Sequence, residues 1–391
     1  MMAFLLIEFS VSSRGDTLDL RFNFFGDSLR AQSANWHFAD YNNDLSVVSI
    51  QNFYNALDST DYRPLVQSLL TFKEKNHLDD WLYYQLIRKT AQQLSPKTAN
   101  YNRYTLYKWF LLNKSGYNAS LAIRDGKQLL FYVQSDDNIY DIPYYVKDGK
   151  QFVCLNLHDF GKLDFAKDSP DEVMVKIPDG IKPFSYKITR LPEFPEQDYA
   201  EKDIQFDYHN KGFLFKVKVN SDIQTLFANY PVVDYESYFN IPLSKETYNS
   251  LIPELKEKVK DMNQRNGVDY LMRFTRNAFP YENDQENFGK EKRLSPEQTL
   301  LTKYSDCDDR AALFFCLVKE IYHLPMIVLA FPTHVTIAVN FDKPIGTPIF
   351  YKNKEYAVCE PTPQLEDLSV GQLSSKLKDV PYQIAYAYDP Q

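Results

Sequence analysis

Five segments of this chain recur, in the same order, in its second half, so the chain is expected to fold as two copies of one unit. LRFNFFGDSLRA from Leu20 is matched by IQFDYHNKGFLF from Ile204, and each reads as alternating strands about a turn. IQNFYNALDSTDYRPLVQSLL from Ile50 shares its helical period with KETYNSLIPELKEKVKDM from Lys245. LSPKTANYNRYTLYKWFLL from Leu94 and LSPEQTLLTKYSDCDDRAALFF from Leu294 both run from Leu-Ser-Pro into an apolar helix. YDIPYYVKDGKQFVCLNL from Tyr140 lies beside GTPIFYKNKEYAVCEPT from Gly346, and KPFSYKI from Lys182 beside VPYQIAYAY from Val380. The offset drifts from 184 between Phe22 and Phe206 to 205 between Cys154 and Cys359, which implies insertions. PYENDQENFGKEKR from Pro280 has no partner in the first half. Two homologous domains are expected, about 1–195 and 196–391, joined in the Pro- and charge-rich stretch RLPEFPEQDYAEKD from Arg190.

A length of 391 residues carries two cores comfortably, and 44% apolar with 25% charged residues is ordinary for globular domains. The formal net charge of -8 argues against nucleic acid as a partner, because phosphate binding needs clustered Lys and Arg. The 29 tyrosines read first as core and strand content. No run approaches the roughly 20 apolar residues of a membrane span, so no transmembrane segment is expected. The opening MMAFLLIEFSVSSRG lacks a basic region and is interrupted by Glu8, which makes it a poor signal peptide. It reads as the remnant of a longer leader or as a first strand. Cys154, Cys307, Cys316 and Cys359 form no CxxC pair and no zinc spacing, and no EF-hand-like loop is present. No cofactor and no metal are expected.

The second copy carries the chemistry. Ser305 reads as a helix N-cap with Asp308 three residues on, which places Cys307 in the first turn. Unpaired amides and the helix dipole favour a thiolate there, while Asp306, Asp308 and Asp309 oppose it. A nearby cation is therefore needed, and an imidazolium is the best candidate. Leu313, Leu317, Ile321 and Leu324 mark one apolar helix face, Cys316 lies within the apolar pattern, and Pro325 is expected to end the helix. MIVLAF and HVTIAVNF read as consecutive strands, with His334 opening the second, 27 residues after Cys307. Alternation puts His334, Thr336 and Ala338 on one face. In the next strand, EYAVCEPT, Glu360 shares a face with Tyr356 and Val358, while Cys359 turns to the other. A carboxylate at Glu360 is placed to accept the far imidazole N–H and fix the tautomer. Each residue alone has a plainer reading: a buried helix start, a satisfied strand histidine, a solvated strand end. A zinc site from Cys307, His334 and Cys359 is disfavoured by that same strand parity.

SDCDDRAALFF, then THVTIAV, then VCEPT resembles the transglutaminase-like cysteine superfamily, a branch of the papain-like folds. The close match covers residues 303–362, and the longer resemblance, with DQENFG, most of the second half. The family pattern runs Gly/Ser-Asp-Cys on a helix, a strand His, then Asp-Pro-Thr. The resemblance implies Cys307 as nucleophile, His334 as base and Glu360 as orienting acid, with Glu standing for the usual Asp. It implies an α+β fold of two tandem papain-like domains, each with helices packed on an antiparallel sheet. It implies a peptidase or amidase that attacks an amide of a peptide or protein substrate and forms a Cys307 thioester. An amine acceptor in place of water makes a transglutaminase, a glycan-bearing substrate a cell-wall amidase, and inert copies a binding scaffold. Relatives of this look are often bacterial and exported, which implies a periplasmic or secreted site. The Cys307 amide is the expected oxyanion donor, with Gln285 as second.

Aligned on the second copy, the first has Asn100 or Tyr101 for Cys307, Gln128 for His334 and Leu155 for Glu360. That half is expected to keep the fold without the chemistry.

Overall fold

Alternation along Leu18–Phe24 buries Leu18, Leu20, Phe22 and Phe24 on one face, and its antiparallel partner is Asp27–Ser33. Phe25 and Gly26 form the turn at φ 44° and 91°, the left-handed pair that a two-residue hairpin loop requires. The later hairpin, Tyr199–Tyr208 with Lys211–Asn220, turns at His209 and Asn210 with φ 47° and 63°. The chain is described here from a computed structural model, for residues 10–12, 17–161, 171–173, 180–282 and 292–390. It divides into two units, Met1–Lys187 with Asn229–Pro231, and Ile188–Ala228 with Val232–Gln391. Both are α+β with antiparallel sheets.

In the first unit the helices Val47–Asp58, Arg63–Lys75, Asp80–Leu94 and Tyr101–Lys114 precede a five-stranded sheet. Its order is Tyr144–Lys147, Lys150–Cys154, Gln128–Gln134, Ala119–Arg124, Asp171–Val173. In the second unit the main helices are Lys245–Val259, Gln264–Asn277, Pro296–Leu301 and Cys307–Tyr322. They precede a sheet ordered Ile349–Tyr351, Lys354–Cys359, His334–Asn340, Met326–Phe331, Gln383–Tyr388. Numbered by sequence within each sheet, the two orders are the same.

Three details depart from the sequence reading. The fifth strand of the first sheet is Asp171–Val173, while Lys182 makes only a single bridge to Tyr117. The KPFSYKI match is thus one of composition, because that stretch forms no ladder: Lys182 donates to the Gly116 carbonyl and Phe184 to that of Gln134, at the end of its strand. The helix from Cys307 has no single apolar face: from Asp308 to Val318 every residue is buried. It packs on Gln264–Asn277, Pro296–Leu301 and His334–Asn340, which surround it. It stops at Tyr322, before Pro325, because His323 takes the left-handed conformation (φ 52°) and its N–H closes onto the Val318 and Lys319 carbonyls.

The first unit holds a lysine in its core. Lys108 is 1% exposed, and its ammonium lies 4.5 Å from the Tyr104 ring centroid and 5.7 Å from that of Phe131. Burial, then repulsion from Arg88, brings its pKa down to about 7 against the pull of Asp159. The unfolded chain keeps the proton up to pH ~10.4, so stability is expected to rise with pH across that window and the penalty to be complete below it. Lys108→Met is expected to stabilise the first unit by about 1–4 kcal/mol at neutral pH and to abolish the rise. Hydrogen exchange of first-unit amides at pH 7 and 9 checks this; an unchanged pH dependence contradicts it.

Candidate active site

Asp306 caps the helix that starts at Cys307. Its Oδ1 accepts from the N–H groups of Asp308 at 3.0 Å and Asp309 at 3.2 Å. Asp309 Oδ2 answers by accepting from the Asp306 N–H at 3.3 Å, which completes a capping box. The sequence reading put this cap on Ser305, one residue early. A carboxylate outcompetes the hydroxyl because it takes two amides at once and complements the helix dipole. Cys307 is therefore the first helical residue, and its own amide is among the unpaired ones.

Of the four cysteines, Cys307 is the one not buried. Its sulfur lies 3.4 Å from Asp308 Oδ1 and takes a hydrogen bond from the backbone of Val335, the residue after His334. His334 Nε2 lies 2.8 Å from Glu360 Oε2. Glu360 is fully buried, and its other oxygen accepts from the Thr362 N–H at 2.9 Å. The structure thus brings the strand histidine onto the strand-end carboxylate and sets the helix-start thiol against the same strand. Cys359 is turned away, with its sulfur 3.6 Å from the Ala357 carbonyl. Among the described residues no three His, Cys, Asp or Glu side chains form a metal-binding group. Gln285 lies outside the described residues.

The surrounding charges and burial act on both groups. Burial, with Asp308 and Asp306 adding, pushes the Cys307 thiol far up, and the Val335 hydrogen bond only partly opposes this. Burial pulls His334 down, but the hydrogen bond and charge of Glu360, helped by Asp308 and Asp306, raise it above the ordinary histidine value. The shifts favour a protonated Cys307, whose thiol donates to Asp308 Oδ1, and a more basic His334, so the helix terminus does not by itself yield a thiolate. Burial also raises Cys154 and Cys316, to about 12.

Three arginines that the motif reading passed over hold this arrangement. Arg293 Nε pairs with Asp308 Oδ2 at 3.2 Å, and its guanidinium stacks 4.2 Å from the Tyr235 centroid. Arg310 is fully buried and donates to the carbonyls of Thr275, Arg276, Phe279 and Ser305. Burial outweighs the pull of Asp309, so its pKa falls to about 10. Arg276 donates to the Glu360 carbonyl. The one sequence signal for this set is Arg310, a cation placed in the otherwise apolar run after SDCDD. Two residues before Glu360, Val358 lines a cavity of about 680 Å³ with Asp367, Leu368, Leu373, Lys378 and Tyr382.

The first unit shows what the same positions become without the thiol. Tyr101 is the first residue of its helix, as Cys307 is, and Gln128 opens its strand, as His334 does. Tyr132 pairs with Cys154 as Ala338 pairs with Val358, each on the face of its sheet's apolar cluster. This register puts Asn156 in the place of Glu360, correcting the sequence alignment on Leu155 by one residue. Asn156 Nδ2 donates to Tyr101 Oη at 2.8 Å. The positions of nucleophile and acid touch there through a longer side chain and a neutral amide.

Comparison with protein-family models, with curated proteins and with solved structures gives no match. No helix among the described residues is long and apolar enough to cross a membrane.

Asp306→Asn keeps a capping oxygen and removes one of the charges that raises the thiol. It is expected to change stability by less than about 1 kcal/mol and to lower the Cys307 pKa. A titration of thiolate ultraviolet absorbance reads this against wild type; an unmoved midpoint contradicts it.

Proposed function

We propose that the second unit is a transglutaminase-like, cysteine-dependent amide hydrolase acting on a peptide or protein substrate. The observation that carries this is the 2.8 Å contact between His334 Nε2 and Glu360 Oε2, formed next to the Val335 amide that holds the Cys307 sulfur. A histidine oriented by a buried carboxylate beside a helix-start thiol is what covalent catalysis asks for.

Because the thiol is held up and the imidazole is basic, His334 acts as a general base at the moment of attack. Nδ1, the nitrogen not engaged by Glu360, takes the thiol proton as the sulfur adds to the amide carbon. The carbonyl electron pair moves to oxygen, where the Cys307 amide at the helix start stabilises it. His334 then returns its proton to the nitrogen as the C–N bond breaks, releasing an amine and leaving a thioester. Water, deprotonated by His334, attacks that thioester; the carboxylic acid departs and the sulfur recovers its proton. Hydrolysis is the favoured outcome because it needs no second site for an amine acceptor. The first unit, with Tyr101, Gln128 and Asn156 at the corresponding positions, is an inert copy.

Cys307 alkylation by iodoacetamide, followed by peptide mass spectrometry from pH 5 to 9, tests the couple. Wild type is expected to show a rate inflection above pH ~6.5, set by His334. His334→Ala is expected to label at least about tenfold more slowly at pH 8. Glu360→Gln is expected to move the inflection down, since the charge that raises His334 is gone. Labelling that is unaffected by losing His334 removes the enzyme reading and leaves a scaffold with two inert copies.

A further inference from the structure

The Glu360 carbonyl stands where its strand stops pairing. The last ladder pair is Ile337 with Cys359, and Pro361 follows, with no N–H to close a turn. That carbonyl is taken by Arg276, through Nε at 3.1 Å and through Nη2. Nη1 of the same guanidinium donates to Asp367 Oδ1 and to the Leu368 carbonyl, each at 3.0 Å. Arg276 is 6% exposed, and its own carbonyl accepts from Arg310 Nη1 at 2.8 Å. Arg310 belongs to the helix that begins at Cys307. A continuous set of contacts therefore runs from the nucleophile helix through Arg310 and Arg276 to Glu360, and from Glu360 to His334.

We propose that Arg276 is a positioning residue of this site, fixing the point from which Glu360 orients His334. This rests on the reading of Cys307, His334 and Glu360 given above. A glutamate has one more rotatable bond than an aspartate, so its carboxylate holds a direction only if both ends are tied. Thr362 ties the carboxylate through Oε1, and Arg276 ties the backbone. Donation from two nitrogens to one carbonyl sets direction as well as distance, which a lysine cannot reproduce. Arg273 supplies the control: its Nη1 donates to the same Asp367 at 2.8 Å, and its Nε to Asp269 at 3.0 Å, rather than to Glu360.

The experiment uses the full chain labelled with [15N]histidine, with the His334 resonances assigned by His334→Gln. The imidazole is titrated by NMR, and Cys307 alkylation is followed in parallel. In Arg276→Met the His334 midpoint is expected to fall toward the ordinary histidine value of ~6.5, and labelling above the midpoint about tenfold. Arg276→Lys is expected to recover part of both. Arg273→Met is expected to lower the melting temperature and leave the His334 midpoint where it is. A midpoint unmoved in Arg276→Met, or moved equally in Arg273→Met, overturns the proposal. Should Arg276→Met not fold, Arg276→Lys takes its place, and a wild-type midpoint there overturns it too. If Cys307 proves unreactive while the midpoint still falls, the hydrolase reading fails and the positioning of Glu360 stands.

Discussion

A buried guanidinium decides the architecture of the second unit. Arg310, one turn into the helix that begins at Cys307, is surrounded by backbone carbonyls instead of a paired carboxylate. Two of those carbonyls, Thr275 and Arg276, lie in the last turn of Gln264–Asn277, where a helix leaves its C=O groups without partners. The positive charge meets the negative end of one helix and stands at the start of another, whose first turn is crowded with aspartates. An isolated ion at this depth is costly, and its pKa is drawn down accordingly. It is tolerated because four acceptors converge on it, and that convergence locks the two helices at one angle and one register.

The acidic start of the helix that begins at Cys307 follows from the same balance. Asp306 and Asp309 are occupied in the capping box, and Asp308 is paired with Arg293. Burial, with the charges of Asp308 and Asp306 adding, raises the thiol, and Glu360 with the same two charges raises the histidine. A raised thiol withholds the resting thiolate, while a raised imidazole makes a better base. In the reaction proposed above, this field suits proton transfer in the attack step.

Side by side, the two units separate what a fold must keep from what a site must keep. Strand order is preserved, and so is the packing of a helix against the second strand. The chemical identity of the positions is not: Tyr101 and Asn156 bond directly where Cys307 and Glu360 stand in the other unit. Lys108 shows the looser constraint in another way, a cation within the core, tolerated against aromatic faces.

Much of this was legible in the sequence, for reasons that are local. Alternation placed Glu360 with Val358 and turned Cys359 away, because side-chain direction along a strand depends only on parity. Recurrence of segments led to an expectation of two units, about 1–195 and 196–391, where the chain divides at Lys187 and Ile188, and hydrophobic runs predicted the strand that His334 opens and the one that ends at Cys359, just before Glu360. The errors were also local, at places where neighbours compete: Asp306 over Ser305 for the cap, His323 over Pro325 for the helix end, Asn156 over Leu155 in register. What no reading of the chain could supply was the partners of Arg276 and Arg310. Apart from the Asp367 carboxylate and the nearby Ser305 carbonyl, their acceptors are backbone carbonyls distant in sequence, which every residue possesses and no residue type announces. Only the tertiary structure, by burying those carbonyls together, decided which charges would hold the site.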